Sequence, residues 1–292
     1  MIKPTSRMVP LPDGLRCHLL EWDAPSDHTI ILVHGFLDLA WGWEPVIDAA
    51  GPGELAGRFH IVAPDMRGHG DSARVGPGGY YHFLDYVLDL DQLITAVGRE
   101  RVSLVGHSMG GMICSYYAGS NPARISRLAL LEGMGPPEQS TALPDRVATW
   151  LDSMRRLQTR PERGMATLEQ AAERLRKHDP LLTPELAHRL AAHGTRQGED
   201  GSFYFKHDPM HLTPGPYPFR VDVAHTFWQR ITCPVLYVEG GESTFRGAPA
   251  DLQQRVSSLA HVEQAVLAGA GHMMQRHQPA ALAALLGRFF AE

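Results

Sequence analysis

The sequence predicts an α/β fold: a mostly parallel, eight-stranded sheet flanked by helices, with a helical insertion over one end of it. Three observations carry this. Short continuous apolar runs alternate with stretches of helical period, as in a parallel sheet covered on both faces. A Gly-rich junction at Leu104-Val105-Gly106-His107-Ser108-Met109-Gly110-Gly111 joins a strand to a helix. Residues 136–230 change texture, being rich in Arg, Glu, Pro and His and without a buried-strand run.

Taken in order, residues 7–22 alternate around a Pro12-Asp13-Gly14 turn signal, which predicts a β-hairpin at a sheet edge. Thr29 to Val33 is a buried strand ending in His34-Gly35-Phe36-Leu37-Asp38. Trp41 to Ala50 reads as a helix, followed by a break at Gly51-Pro52-Gly53. Phe59 to Ala63 is the next strand and runs into Pro64-Asp65-Met66-Arg67-Gly68-His69-Gly70-Asp71-Ser72. From Tyr80 to Gly98, Phe83, Tyr86, Val87, Leu90, Leu93, Ile94 and Val97 recur at helical spacing, with Gly98 at the helix end. Strand 101–105 enters the junction and helix 109–119 leaves it. Ile125 to Leu131 is a further strand, leading to Glu132-Gly133-Met134-Gly135-Pro136. Within the insertion, helices are predicted at about 144–158, 167–177 and 184–194, with Thr183-Pro184-Glu185 as a helix start. Strand 233–238, helix 248–257, strand 262–267 and a last helix over 278–291 complete the chain. Residues 1–135 and 231–292 are thus expected to form the sheet unit, and 136–230 a helical cap.

Composition narrows the class. The 292 residues are 43% hydrophobic and 20% charged, with a net charge of −5. A large core can form, and no basic footprint invites nucleic acid. No apolar run reaches the length of a membrane span, and Met1 to Leu11 lacks a signal-like apolar region. Cys17, Cys114 and Cys233 are odd in number and scattered, which fits free buried thiols in a reducing, cytoplasmic setting.

The chemistry centres on Ser108. A serine at a tight strand-to-helix turn, between Gly106 and Gly110, is aimed out of the sheet edge, and the Met109 amide opens the helix beside it. A free hydroxyl is a poor nucleophile at neutral pH and needs a general base. Of 16 histidines, His272 is the best placed, following the last strand within Gly269-Ala270-Gly271-His272. His69 is expected to stabilise its turn beside Asp65 and Arg67. The base needs an acid to fix its tautomer. Two loops can supply one: Glu132 follows strand 125–131 directly, and Glu242 lies in Glu239-Gly240-Gly241-Glu242-Ser243. Glu132 is preferred because the Gly and Pro after it hold it in place, and Glu242 stays open. The oxyanion donors are expected to be the Phe36 and Met109 amides. His207 and His211, four residues apart, read poorly as metal ligands because Pro209 interrupts them. The Gly76-Pro77-Gly78-Gly79 loop lacks the partners of a phosphate cradle. Trp41, Trp43, Trp150, Trp228 and Phe36 are candidates to line a pocket, with core packing the default for aromatics.

These stretches together resemble the α/β-hydrolase superfamily, over essentially the whole chain. His34-Gly35, Asp65 to Ser72, Gly106-His107-Ser108-Met109-Gly110-Gly111 and Gly269-Ala270-Gly271-His272 occur in that family's order. Within it, His34 to Asp38 and Leu130 to Pro136 look most like the serine hydrolase-like branch, and resemble haloalkane dehalogenases in outline. Some dehalogenases carry the acid where Glu132 stands. Where the family often has Gly-x-x-Asp, this chain has Gly240-Gly241-Glu242-Ser243. Ser at 108, rather than Asp, argues against dehalogenase and epoxide hydrolase chemistry.

The expected activity is hydrolysis of a small or medium ester through an acyl-enzyme, with no cofactor and no metal, in a monomer or homodimer acting on a small molecule. Two alternatives remain at this stage. The same triad serves carbon–carbon bond hydrolases and cofactor-free perhydrolases, and a hydrolase fold can persist in a non-catalytic ligand-binding protein.

Overall fold

The structure is a computed structural model and describes residues 3–51, 54–138, 140–159, 162–245 and 249–291. Its strands are β1 (Thr5–Pro10), β2 (Arg16–Trp22), β3 (His28–Val33), β4 (His60–Pro64), β5 (Arg101–His107), β6 (Leu128–Leu131), β7 (Thr195–Gln197), β8 (Phe203–Phe205), β9 (Val235–Gly240) and β10 (Val262–Leu267). Eight of them form the main sheet in the order β1-β2-β4-β3-β5-β6-β9-β10. β1 and β2 form the predicted hairpin, and β2 runs antiparallel to β4; the other pairs are parallel.

The central strands are mostly apolar because both faces are covered. Side chains alternate across a strand. Ile31 and Val33 of β3, with Leu104, Leu128 and Leu130, therefore point into one core. Ile30 and Leu32, with Val105, Ala129 and Leu131, point into the other. On the first face pack α2 (Phe83–Val97), α3 (Met109–Ser120), α7 (Val221–Trp228) and α8 (Pro249–Val256), through residues such as Tyr86, Met112, Trp228 and Val256. On the second pack α1 (Glu44–Ala49), α9 (Met274–His277) and α10 (Pro279–Ala291), through Val46, Met274 and Leu282.

Residues 136–230 carry α4 (Leu143–Thr159), α5 (Leu168–His178) and α6 (Pro184–Gly194) before α7. Thr167 and Thr183 cap α5 and α6 by accepting the Gln170 and Leu186 amides. Ala171, Ala172, Leu186, Ala187 and Leu190 build a separate small core with Leu39 from the sheet unit. Trp41 stacks on His193 of α6 with ring centroids 3.8 Å apart.

Several expectations need correcting. The helix expected from Trp41 to Ala50 is a 3-10 turn over Ala40–Trp43 followed by the short α1, with Pro45 in its first turn. β6 starts at Leu128 rather than Ile125, although the Ser126 amide still donates to the Val102 carbonyl. The insertion holds strands after all: β7 and β8 pair antiparallel, too short and too polar on one strand to register as apolar runs. α7 also went unpredicted; its Ala224 and Trp228 are fully buried in the sheet core. The expected break at Pro52 and Gly53 lies outside the described residues, as does residue 248 at the start of the expected helix 248–257. All three cysteines are free and buried, as expected. Among the described residues, no helix is long and apolar enough to cross a membrane.

Candidate active site

β5 ends at His107 and α3 begins at Met109, so Ser108 occupies the turn between them. Its backbone is at φ 53°, ψ −115°, a region where a side chain is strained. The turn closes because its neighbours are small. A Cβ at Gly110 would drive into the Val33 carbonyl, and one at Gly106 into the Gly110 carbonyl. The Ser108 amide donates to the Leu131 carbonyl at 2.9 Å, which ties the turn to β6.

The loop after β3 lies against this turn. A Cβ at Gly35 would sit 2.7 Å from His107 Nδ1 and 3.3 Å from Ser108 Cβ. His34 sets the orientation of that loop. The Met66 amide donates to His34 Nε2 at 2.9 Å, so the ring proton is on Nδ1, which donates to the Gly35 carbonyl at 2.7 Å. With the Gly35 carbonyl held there, the trans peptide points the Phe36 amide the opposite way.

The parallel pairings of β6 with β9 and of β9 with β10 bring the acid and the base to one end of the sheet. His272 Nδ1 lies 2.6 Å from Glu132 Oε2. Glu132 also accepts the Gly240 amide at 2.9 Å and the Ser243 hydroxyl at 2.8 Å. Burial opposes its ionisation, yet His272, the Gly240 amide and the Ser243 hydroxyl together hold the carboxyl below its ordinary value. Glu242, the alternative acid, is exposed, and its amide donates to the Ala270 carbonyl.

Three further residues surround His272, and sequence reasoning missed their part. His107 donates from Nε2 to the His272 carbonyl at 2.8 Å. Burial, and the neighbouring His272, push the His107 imidazole down to about 3, so it is neutral at ordinary pH. Phe245 stacks on the His272 ring with centroids 4.1 Å apart. Ser243 links the two by donating to Glu132 and accepting the Phe245 amide at 3.2 Å. The Ser243 signal was present in Gly240-Gly241-Glu242-Ser243, where a hydroxyl follows at the spacing expected of an acid. Nothing local marks Phe245.

Ser108, Met109, Phe36 and Glu132 line one cavity of about 900 Å³, with Phe245 at its edge. Met112, Tyr116, Phe219 and Phe227 make its wall apolar. Tyr116 and Phe227 stack at 4.1 Å, joining α3 to α7. His69 is turned away into its own turn, where Nδ1 donates to the Arg67 carbonyl at 3.0 Å. His211 packs on Tyr81 with ring centroids 4.0 Å apart, at the end of a 3-10 turn over Pro209–Leu212. Trp43 and Trp228 are fully buried in the cores, whereas Trp41 and Trp150 are half-buried and Phe36 is exposed and lines the cavity.

A mostly parallel sheet with a serine at the β5–α3 turn and a histidine–carboxylate pair beside it defines a hydrolase scaffold. The chain belongs to the α/β-hydrolase fold family, whose model matches residues 28–276. Serine hydrolase-like proteins are among its relatives. It is 28% identical over 198 residues to a serine hydrolase-like protein of Danio rerio, covering 64% of this chain and 57% of that protein. The chain thus spans little more than half the length of that relative. It is 28% identical over 287 residues to a 3-hydroxybutyrate-oligomer hydrolase of Cupriavidus necator, covering 93% of this chain and 92% of that protein. Among solved structures, a hypothetical protein of Pseudomonas aeruginosa superposes with a TM-score of 0.84 at 28% identity, over 100% of both chains.

Proposed function

We propose that the chain is a serine hydrolase that cleaves small or medium carboxylic esters through an acyl-enzyme. One observation carries the reading: a strained serine at a helix N-terminus shares a loop cluster with a buried glutamate hydrogen-bonded at 2.6 Å to a histidine. In this mechanism Ser108 attacks the ester carbonyl and His272 accepts its proton. Glu132 holds the His272 tautomer with Nδ1 protonated and stabilises the imidazolium. The Phe36 and Met109 amides receive the oxyanion; losing one such donor typically costs about 3–4 kcal/mol of barrier. His272 then returns the proton to the leaving alcohol, and water, activated by the same imidazole, releases the acid.

The apolar cavity supports an ester with an aliphatic or aromatic acyl group, enclosed by residues 136–230 acting as a cap on the unit formed by 1–135 and 231–292. Within that range α7 is seated on the sheet core and α4, with no fully buried residue, forms the outer wall. A cytoplasmic setting is part of the proposal and rests on the three free thiols.

A fluorophosphonate probe tests the nucleophile. Wild type labels and Ser108→Ala does not; equal labelling sinks the mechanism. A panel of p-nitrophenyl esters of rising acyl length then reads the substrate, with a 3-hydroxybutyrate dimer added because one relative is named for oligomers of that acid.

A further inference from the structure

We propose that Asp179, at the C-terminal end of α5, is a positioning residue for His272. It acts through His277, so that one carboxylate of the insertion helps to align the imidazole. The proposal rests on the serine-hydrolase reading above.

The argument follows protons. The Gly271 amide points at His277 Nδ1 at 3.0 Å. An amide can only donate, so Nδ1 carries a lone pair and the ring proton sits on Nε2. That proton goes to Asp179 Oδ1 at 2.7 Å. Both side chains are nearly sealed from solvent, 4% and 10% exposed, where the bond is strong and its loss is costly. Asp179 therefore fixes the His277 tautomer, His277 fixes the Gly271 peptide, and Gly271 directly precedes His272. Close packing reinforces the chain of bonds: a Cβ at Gly271 would lie 3.3 Å from Leu181 of the insertion.

His272 has two other hydrogen-bonded ties. Glu132 holds its ring at 2.6 Å and His107 holds its carbonyl at 2.8 Å. Both partners belong to the sheet unit. Asp179 is the one that leads to the insertion. The same short α9 serves the other side of the site. Arg276 bonds Asp38 at 2.6 Å and lies 3.8 Å from Asp179 Oδ2. Asp38 closes the Gly35-Phe36 loop, its amide donating to the Gly35 carbonyl at 3.2 Å. A single carboxylate of the insertion thus faces the supports of both the imidazole loop and the expected oxyanion loop.

The test uses the full chain with Asp179→Ala, Asp179→Asn and Leu186→Ala. Asn keeps an acceptor for His277 Nε2–H. Leu186→Ala loosens the insertion core without touching α9. Fluorophosphonate labelling rate, kcat and KM on one p-nitrophenyl ester, and Tm are read for each. Asp179→Ala is expected to lower kcat and the labelling rate by about tenfold, below the roughly hundredfold that a 1 Å misplacement can cost. KM stays within twofold, and Asp179→Asn recovers most of the rate. Leu186→Ala is expected to lower Tm with the labelling rate unchanged. If Asp179→Ala labels like wild type, or Leu186→Ala slows labelling as much, the positioning role is overturned while the hydrolase reading stands. If wild type itself labels no better than Ser108→Ala, both readings fall together.

Discussion

Glu132 Oε2 and His272 Nδ1 lie 2.6 Å apart, and the glutamate that makes this bond is buried at a backbone φ of 44°. An acid in that position is aimed by the end of β6 rather than by the loop after β9. Replacing it with an amide of the same shape keeps the packing and loses the charge that favours the imidazolium. Glu132→Gln is expected to lower kcat by up to about 10⁴-fold, as for triad acids. Glu242→Gln, at an exposed position, is expected to leave kcat within twofold. Steady-state kinetics on one ester decides between them.

Phe245 covers the face of the His272 ring. Aromatic stacking contributes about 0.5–1.5 kcal/mol beyond area burial. Phe245→Ala is expected to lower kcat by up to about tenfold on that basis, and Phe245→Tyr to stay near wild type. An unchanged kcat in the alanine variant would deny the ring any part in holding His272.

The cavity wall sets acyl length. Met112 is buried on the first turn of α3, facing the cavity. Met112→Trp is expected to leave acetyl ester hydrolysis within about threefold and to abolish the gain from longer chains. In wild type that gain is at most about fourfold in kcat/KM per buried methylene, from roughly 0.8 kcal/mol each. The chain-length profile measures both.

Acid destabilises this fold through histidines held neutral. Burial pushes His28 down to about 4, and likewise His207 and His211 to about 4. Their folded values lie below the unfolded value of about 6.5, so unfolding takes up protons as the pH drops. The stability they contribute is fully present above about pH 6.5 and is lost progressively as pH falls toward 4. Calorimetry from pH 7.5 to 4.5 is expected to show Tm falling steadily, with a shallower fall for His28→Gln.

Gly110 and Gly76 make a paired control. A Cβ at Gly110 would drive into the Val33 carbonyl, whereas at Gly76 nothing lies within 4 Å. Gly110→Ala is expected to cost roughly 1–3 kcal/mol or more, as overpacking does, with loss of probe labelling. Gly76→Ala is expected to keep both Tm and labelling.

Much of this site was legible in the chain. The glycines at 106 and 110 and the apolar strand before them mark a turn that only small residues allow, so Ser108 could be read locally. His272 could be read because it follows a strand in a Gly-rich loop. Glu132 could be ranked above Glu242, since a residue directly at a strand end has little freedom. What stayed hidden is non-local. Asp179 and His277 are 98 positions apart, and neither carries a local sign of the other. The β7–β8 pair was missed because its strands are three residues long and one is polar, and α7 because its Ala224 and Trp228 are buried by packing on the sheet core rather than by a long periodic pattern.

Three residues other than glycine adopt left-handed backbone among the described residues, Leu37, Ser108 and Glu132, at φ 58°, 53° and 44°. They stand just past the ends of β3, β5 and β6, three adjacent strands, so the stored tension sits along one rim of an otherwise relaxed sheet. At about 1–3 kcal/mol each, that rim is where heat-driven directed evolution would find its easiest gains. Lineages bred for durability alone would drift toward glycine there, and become sturdy proteins that have forgotten their chemistry.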